Sequence, residues 1–354
     1  MALQNLATQS ARIGKLKGEI LAHAVPVEVL GITGMQKQMP KNQSDTIVFR
    51  RWLPKGAVNT KTGDGYGNQF ITGSNVASYA NDHLTTEGAT PTADTLVATD
   101  VILTLQQYSC LYSVTDKTFD LYEDDVPTEM KKQTGERIGL VREMVRYGAL
   151  QGMGNVFYGG VGTTKDTVSG TISLNLLRKM TRSLKANHAK MITGFLAASP
   201  NFATAPVEAS YLVFCSTDME PAIRDLPGFK HTAEYGNRKV VHEQEIGSVE
   251  SFRFVLSPEL APTLDFGAAT GATGMQSSGT KLDVYPMIVV GEDAWGQVAL
   301  RGSDSLDVSW IPPGQKDKND PLGQRGYIGA KTYMVAAMLN NGWGALCWVA
   351  TPAL

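Results

Sequence analysis

From about Arg51 to Ala98 the chain holds neither the alternation of a strand nor the roughly 3.6-residue period of a helix. The centre of this stretch, KTGDGYGNQFITGSN at 61–75, is rich in Gly, Asn and Thr. A loop of that length with no structure of its own is rare inside a compact domain, because its backbone polar groups must all find partners. The segment is therefore expected to project as a hairpin or strap that becomes ordered against something outside its own core. A chain with so long an excursion and so little evident chemistry is expected to work by fitting against other copies of itself.

Charge is distributed in a way that suits such fitting. The net charge of the 354 residues is only −2, which gives no whole-chain argument for a dedicated nucleic-acid binder. Residues 1–55 nevertheless carry eight basic side chains (Arg12, Lys15, Lys17, Lys37, Lys41, Arg50, Arg51, Lys55) against Glu19, Glu28 and Asp45. Residues 81–125 carry nine acids and only Lys117. Each could be a solvated face. In a self-associating chain a basic arm and an acidic strap would also pair between subunits, which singles out Arg50, Arg51, Trp52, Glu87 and Asp94 as candidate interface residues.

Regular elements are expected elsewhere. Residues 3–30 have an amphipathic helical pattern ended or kinked by Pro26. Residues 99–116 predict one long strand rich in Val, Ile, Leu and Tyr. Glu123, Asp124 and Asp125 before Val126-Pro127 form a helix start. The helix that follows, over about 126–151, would set Met130, Ile138, Val141, Val145 and Gly152 on one face, with Lys131, Lys132, Glu136, Arg142, Glu143 and Arg146 largely elsewhere. Gly159–Gly162 marks a stop. Ser173 caps a second amphipathic helix to His188, Tyr211–Cys215 is a buried strand, and a further helix starts at Asp218. Strands follow at 247–257 and 284–300, with GAATGATGMQSSG (267–279) as an exposed flexible loop. Asn340-Asn341-Gly342 between two apolar runs predicts a hairpin, and the long helix is expected to share a core with it.

Catalytic and cofactor signatures do not assemble. His242-Glu243 starts an HExxH that fails at Ile246, which leaves an ordinary surface histidine on a strand. Gly63-Asp64-Gly65-Tyr66-Gly67 lacks the strand before it and the helix after it that a dinucleotide site needs. Gly159–Lys165 lacks the Gly-Lys-Ser/Thr order of a phosphate loop and is better explained as a helix stop and turn. Glu123-Asp124-Asp125 could attract a divalent cation, but the same acids suit a helix N-terminus. Arg50-Arg51-Trp52 could stack on nucleic acid, but without further basic–aromatic interleaving a protein interface explains it better. Cys110, Cys215 and Cys347 are odd in number and widely spaced, as free buried thiols in a reducing compartment would be. No leader-like apolar segment opens the chain, and no run of 18 apolar residues crosses a membrane. The Asn42-Gln43-Ser44 sequon is incidental. No catalytic, cofactor-binding or metal-binding residue is assigned, and the protein is not expected to be an enzyme.

A series of motifs, in order along most of the chain, carries a resemblance. They are FRRW (Phe49–Trp52), LTTEGATPTADTLVATDV (Leu84–Val101), LQQY (Leu105–Tyr108), DKTFDLYED (Asp116–Asp124), GSVESFRFVLSPE (Gly247–Glu259), GEDAWGQVAL (Gly291–Leu300) and DPLGQRGYIGAKTYMVAAMLN (Asp320–Asn340). On these the chain resembles the major capsid proteins of tailed double-stranded-DNA phages, in the family typified by phage N-four. The resemblance implies an α+β, Hong Kong 97-like fold. Its parts would be an N-terminal arm (1–48), an extended E-loop (49–98), a P-domain (99–206) with the spine helix, an A-domain (207–320) and a return to the P-domain (321–354). It implies a structural subunit that joins many copies of itself in pentamers and hexamers around packaged double-stranded DNA, held by unspecific contact. A portal is a further partner, with decoration or scaffolding proteins as candidates, and no membrane. The location implied is the virion capsid, assembled in the host bacterial cytoplasm. An encapsulin-like compartment of the same fold and an enzyme with a site formed only by tertiary contacts are the alternatives; the TEG…PTAD and DPLGQRG…KTYMVAA blocks favour the capsid.

Overall fold

A computed structural model describes residues 28–40, 42, 44–53, 84–90, 93, 96–121, 125–196, 204–235, 240–271, 274–300, 307–316 and 318–353. The expected arm helix up to residue 27, and the middle of the strap at 54–83, lie outside the described residues.

Three sheets are formed. The smallest pairs β2 (Thr46–Leu53) with β3 (Val97–Thr104), antiparallel, so the two ends of the unpatterned stretch are zipped together. The predicted long strand breaks at Leu105, whose N–H donates to Asp45 O at 2.8 Å. The chain then continues as β4 (Gln106–Thr115) in a second sheet. There β4 runs along one edge of the 14-residue β14 (Arg325–Met338), while β13 (Asp307–Ile311) and β12 (Trp295–Leu300) share its other edge. The short β1 (Met35–Met39) extends this sheet beyond β12. The third and largest sheet has the order β5 (Val156–Tyr158), β15 (Gly344–Val349), β11 (Tyr285–Val290), β7 (Thr204–Ser216), β10 (Phe252–Ser257), β9 (Glu245–Val249), β8 (Lys230–His231). Strand β6 (Ile192–Leu196) also pairs with β7.

The large sheet is covered on both faces, as its near-continuous apolar strands require. On one face Tyr211, Val213, Phe252, Phe254, Met287 and Val289 meet two helices, α3 (Leu174–Ala186) through Leu177, Met180 and Leu184, and α4 (Glu220–Arg224) through Ile223. Ser173 caps α3 as expected, accepting from Leu176 N. The helix expected from Asp218 is present as a 3-10 segment (Thr217–Met219) followed by the short α4. On the other face Leu212, Phe214, Ile288, Val290 and Leu346 meet Val29, Leu30, Trp295, and Tyr147 and Leu150 of α2 (Val126–Gln151).

Helix α2 follows α1 (Asp116–Leu121) and begins where expected. The Asp125 carboxylate accepts from Thr128 N (3.3 Å), and Pro127 lies in the first turn, where a missing N–H costs nothing. Its apolar stripe differs from the expected one. The first half buries Met130, Thr134 and Ile138 against β4 and β14. The second half buries Glu143, Arg146, Tyr147 and Leu150, which at about 100° per residue lie on nearly the opposite side. Val141 and Val145 are only half-buried. The helix thus leans on one sheet and then on the other, and no single stripe describes it.

At the changeover sits a buried polar network. Glu143 is 0% exposed and accepts from Val29 N (2.9 Å) and Leu30 N (2.8 Å) through Oε1. Arg146, 4% exposed, donates to Glu143 Oε2 (3.1 Å), Glu28 Oε2 (3.0 Å) and Gln297 Oε1 (2.9 Å). Gly139 leaves room for Glu28, because a Cβ there would come within 2.5 Å of Glu28 Oε1. The helical pattern alone sets Glu143 and Arg146 largely away from the apolar face. They are buried because they satisfy each other and the backbone of an entering segment.

Three other expectations are corrected. Asn340–Gly342 is not a hairpin. Asn341–Trp343 is a 3-10 turn in which Asn340 Oδ1 accepts from Gly342 N, and β14 and β15 enter different sheets. The described parts of the expected loop, 267–271 and 274–279, are tied down, with Gln276 N donating to Thr351 O, Ala353 N to Gly274 O and Ala268 N to Val168 O. Asp283, 1% exposed, accepts from Asp265 N, Ser278 N and Ser278 Oγ. Gly159–Gly162 is not the helix stop, since α2 ends at Gln151 and the glycines turn the chain after β5. The expected contact of α2 with the late strand β14 is present.

Two outcomes follow from this packing. Arg146→Ala strands the Glu143 carboxylate and should cost about 3–5 kcal/mol in chemical denaturation, whereas Val145→Ala should stay within about 1 kcal/mol. Deleting 276–279 removes two of the three hydrogen bonds given above to the buried Asp283 carboxylate, so the denaturation midpoint should fall well beyond the small effect of shortening an ordinary loop.

Candidate assembly interface

The β2–β3 hairpin alternates as a half-covered sheet should. Ile47 and Phe49 on β2 and Val101 and Leu103 on β3 turn inward against Met39 and Val298. The other face carries Val48 opposite Ile102, Arg50 opposite Asp100 and Trp52 opposite Ala98. Val48, Trp52 and Ile102 are 50%, 58% and 65% exposed. A face with three large apolar side chains around one ion pair is suited to cover by another protein surface.

Arg50 and Asp100 form a bidentate pair, Nε to Oδ1 and Nη2 to Oδ2, each at 2.8 Å. The Arg50 guanidinium holds the Asp100 carboxyl below the usual carboxylate range, and the carboxylate in turn raises the pKa of Arg50. One basic residue of the arm and one acid of the strap are thus paired inside the subunit. The Arg50-Arg51-Trp52 cluster is divided by strand alternation. Arg50 and Trp52 share the exposed face, while Arg51 is half-buried opposite Thr99. Glu87 is exposed on a turn closed by Ala89 N to Thr86 O at 3.1 Å, with Gly88 at φ +79°. Asp94 lies outside the described residues. Val48, Asp100 and Ile102 complete the face and were missed, although the alternation in TIVFRRWL and VATDVILT points to them.

Elsewhere the titratable groups serve the fold. Among the described residues no group of three His, Cys, Asp or Glu side chains is placed to hold a metal. His242 is on a turn, not a strand, half-buried with Nδ1 accepting from Gln244 N; burial lowers its pKa. Cys110, Cys215 and Cys347 are buried and unbridged, and desolvation pushes their thiols up, away from a reactive thiolate. The Gly63–Gly67 string lies outside the described residues, as do Glu123 and Asp124. Among the described residues no helix is long and apolar enough to cross a membrane.

No protein-family model matches the sequence, and no curated protein matches it either. Solved structures do. The chain is similar to the capsid of Ralstonia phage GP4 with a TM-score of 0.60 and 12% identity, over 99% of this chain and 98% of that one. It is similar to the capsid structure of the cyanophage P-SCSP1u with a TM-score of 0.58 and 12% identity, over 96% and 93%. The head structure of Helicobacter pylori bacteriophage KHP40 gives a TM-score of 0.58 and 10% identity, over 99% and 97%. The α+β class expected from the sequence is observed, and the chain shares its fold with these phage-head structures.

Proposed function

We propose that this chain is the major capsid protein of a tailed phage, a structural subunit of Hong Kong 97-like fold that assembles into the icosahedral shell around double-stranded DNA. The observation that carries the reading is the near-complete coverage of both chains in each comparison. A single shared domain would leave a large part of each chain unmatched. The exposed hairpin face adds a surface that a lone subunit has no use for. On this reading the subunit is not an enzyme. It works in pentamers and hexamers in the virion, put together in the host cytoplasm with a portal and with decoration or scaffolding proteins. Weak contacts repeated over many copies accumulate through effective concentration.

The division into arm, E-loop, P-domain and A-domain belongs to the same proposal. Strand pairing supports an E-loop rooted at β2–β3 and a P-domain built on α2, β4 and β14. Within the span expected for the A-domain (207–320), β12 and β13 pair with β14, which argues for moving them to the P-domain. Residues 156–158 and 344–349 pair instead with the large sheet of the A-domain.

Particles purified after nuclease treatment should be closed icosahedra in negative stain and should retain genome-length DNA. Protein cargo without protected DNA would indicate a compartment shell, and a small soluble oligomer would refute assembly. The double variant Trp52→Ser, Ile102→Ser should lower particle yield at least about tenfold while leaving the subunit's denaturation midpoint nearly unchanged, because exposed positions contribute little to folding. Arg50→Glu sets two carboxylates against each other across the hairpin. If adding Asp100→Arg restores assembly, the pair acts within the hairpin; continued failure places Arg50 against a neighbouring copy.

A further inference from the structure

The apolar stripe that opens α2 runs on past the end of its cover. At about 100° per residue, Val141, Met144, Val145 and Gly148 continue the line of Met130, Thr134 and Ile138 along the helix. Strands β4 and β14 bury the first three of that line. The rest is left open among the described residues. Val141 and Val145 stay half-buried, Met144 is 37% exposed, and Gly148 is exposed with open space where a Cβ would stand. The buried side of the same turns is the opposite one, closed by Glu143, Arg146, Tyr147 and Leu150. An uncovered apolar strip with a glycine in it suits the close approach of another helix.

The segment placed to make that approach is the start of this chain. Glu28, Val29 and Leu30 are fastened to α2 itself, through Arg146 (3.0 Å) and Glu143 (2.9 and 2.8 Å), and Glu28 lies against Gly139. The residues before them therefore leave the described structure at the level of the uncovered turns. Their sequence sets Leu6, Ile13, Leu16, Ile20 and Ala24 at helical spacing, a stripe that needs a surface. Pro26 ends the pattern, and an extended Val25–Val27 reaches about 10 Å. That is the width of a helix with its side chains, so the connection can pass from the buried side of α2 to the open one. A helix over residues 3–24 would be about 33 Å long, enough to lie along all the turns from Val141 to Gln151. We propose that residues 3–24 dock by this stripe onto Val141, Met144, Val145 and Gly148 of the same chain. Tethering at Glu28 favours the chain's own arm over a second copy's, because it holds the arm at high local concentration. The contact is a property of the single subunit and does not depend on the assembly proposed above.

The test follows peroxide oxidation of Met144 in the dilute full-length subunit, read by mass spectrometry of the α2 peptides. The triple variant Ile13→Asp, Leu16→Asp, Ile20→Asp puts charges on the docking stripe, so it should release the arm and speed oxidation of Met144 at least about fivefold. The control Arg12→Asp, Lys15→Asp changes charge off the stripe and should alter the rate less than about twofold. A second measurement keeps the stripe intact. In a Lys17→Cys, Met144→Cys chain a short bismaleimide should join the two positions within one chain, the native cysteines being buried. The proposal is overturned if the triple variant leaves the oxidation of Met144 unchanged, if the control speeds it equally, or if the cross-links join two chains.

Discussion

The Glu143–Arg146 pair is where the subunit is joined together. A buried ion pair is not in itself a strong source of stability, because desolvation cancels much of the attraction. Its value here is in what it orders. Glu143 binds two consecutive backbone N–H groups of the segment entering at Val29–Leu30, and Arg146 reaches Glu28 on that segment and Gln297 on β12. Helix, entering segment and small sheet are thereby held in one relative position. Nearby, Trp295 Nε1 donates to Thr33 Oγ1 and its ring lies against Gly34, whose φ of +92° only glycine adopts without strain. An apolar contact at the same place could slide; hydrogen bonds to fixed backbone donors cannot do so without leaving a buried charge unpaired.

The same joint explains how two sheets become one body. Two short connections cross between them, 291–294 from β11 to β12 and 339–343 from β14 to β15. The crossings run side by side, with Gly291 N donating to Trp343 O and Leu339 N and Asn340 N both donating to Ala294 O. Helix α2 spans the same boundary, its first half on the small sheet and its second half on the large one. Three covalent links, one helical and two short turns, thus cross between the sheets.

Much of this was legible in the sequence wherever one element meets one environment. The cap at Asp125, the bounds of α2, the Ser173 cap and the buried run Tyr211–Cys215 follow from local rules that tertiary structure did not override. The misreadings share a cause. A helix that changes its buried side halfway has no single stripe, so Val141 and Val145 were favoured over Tyr147 and Leu150, and Glu143 and Arg146 looked like surface charges. Asn340–Gly342 has hairpin chemistry but joins strands of different sheets, which only the long-range pairing of β14 with β4 and β12 decides. The small polar residues of 267–279 look like a free loop because their anchors, Val168, Asp283 and Thr351, are distant in sequence or unremarkable in type.

The candidate interface was half legible for a related reason. Clustering in sequence singled out Arg50, Arg51 and Trp52 together, but on a strand neighbours in sequence face opposite ways, and neighbours in space come from the partner strand. The exposed face is therefore made of every second residue of β2 and the residues opposite them on β3. Asp100 neutralises Arg50 there, so the face presents little net charge and much apolar surface. That composition bears on how such a face would be covered. Exposed charge pairs are screened by salt and contribute little, whereas burying Val48, Trp52 and Ile102 would gain in proportion to the area removed from water. In an association led by these three side chains, the ion pair between them would fix orientation more than strength.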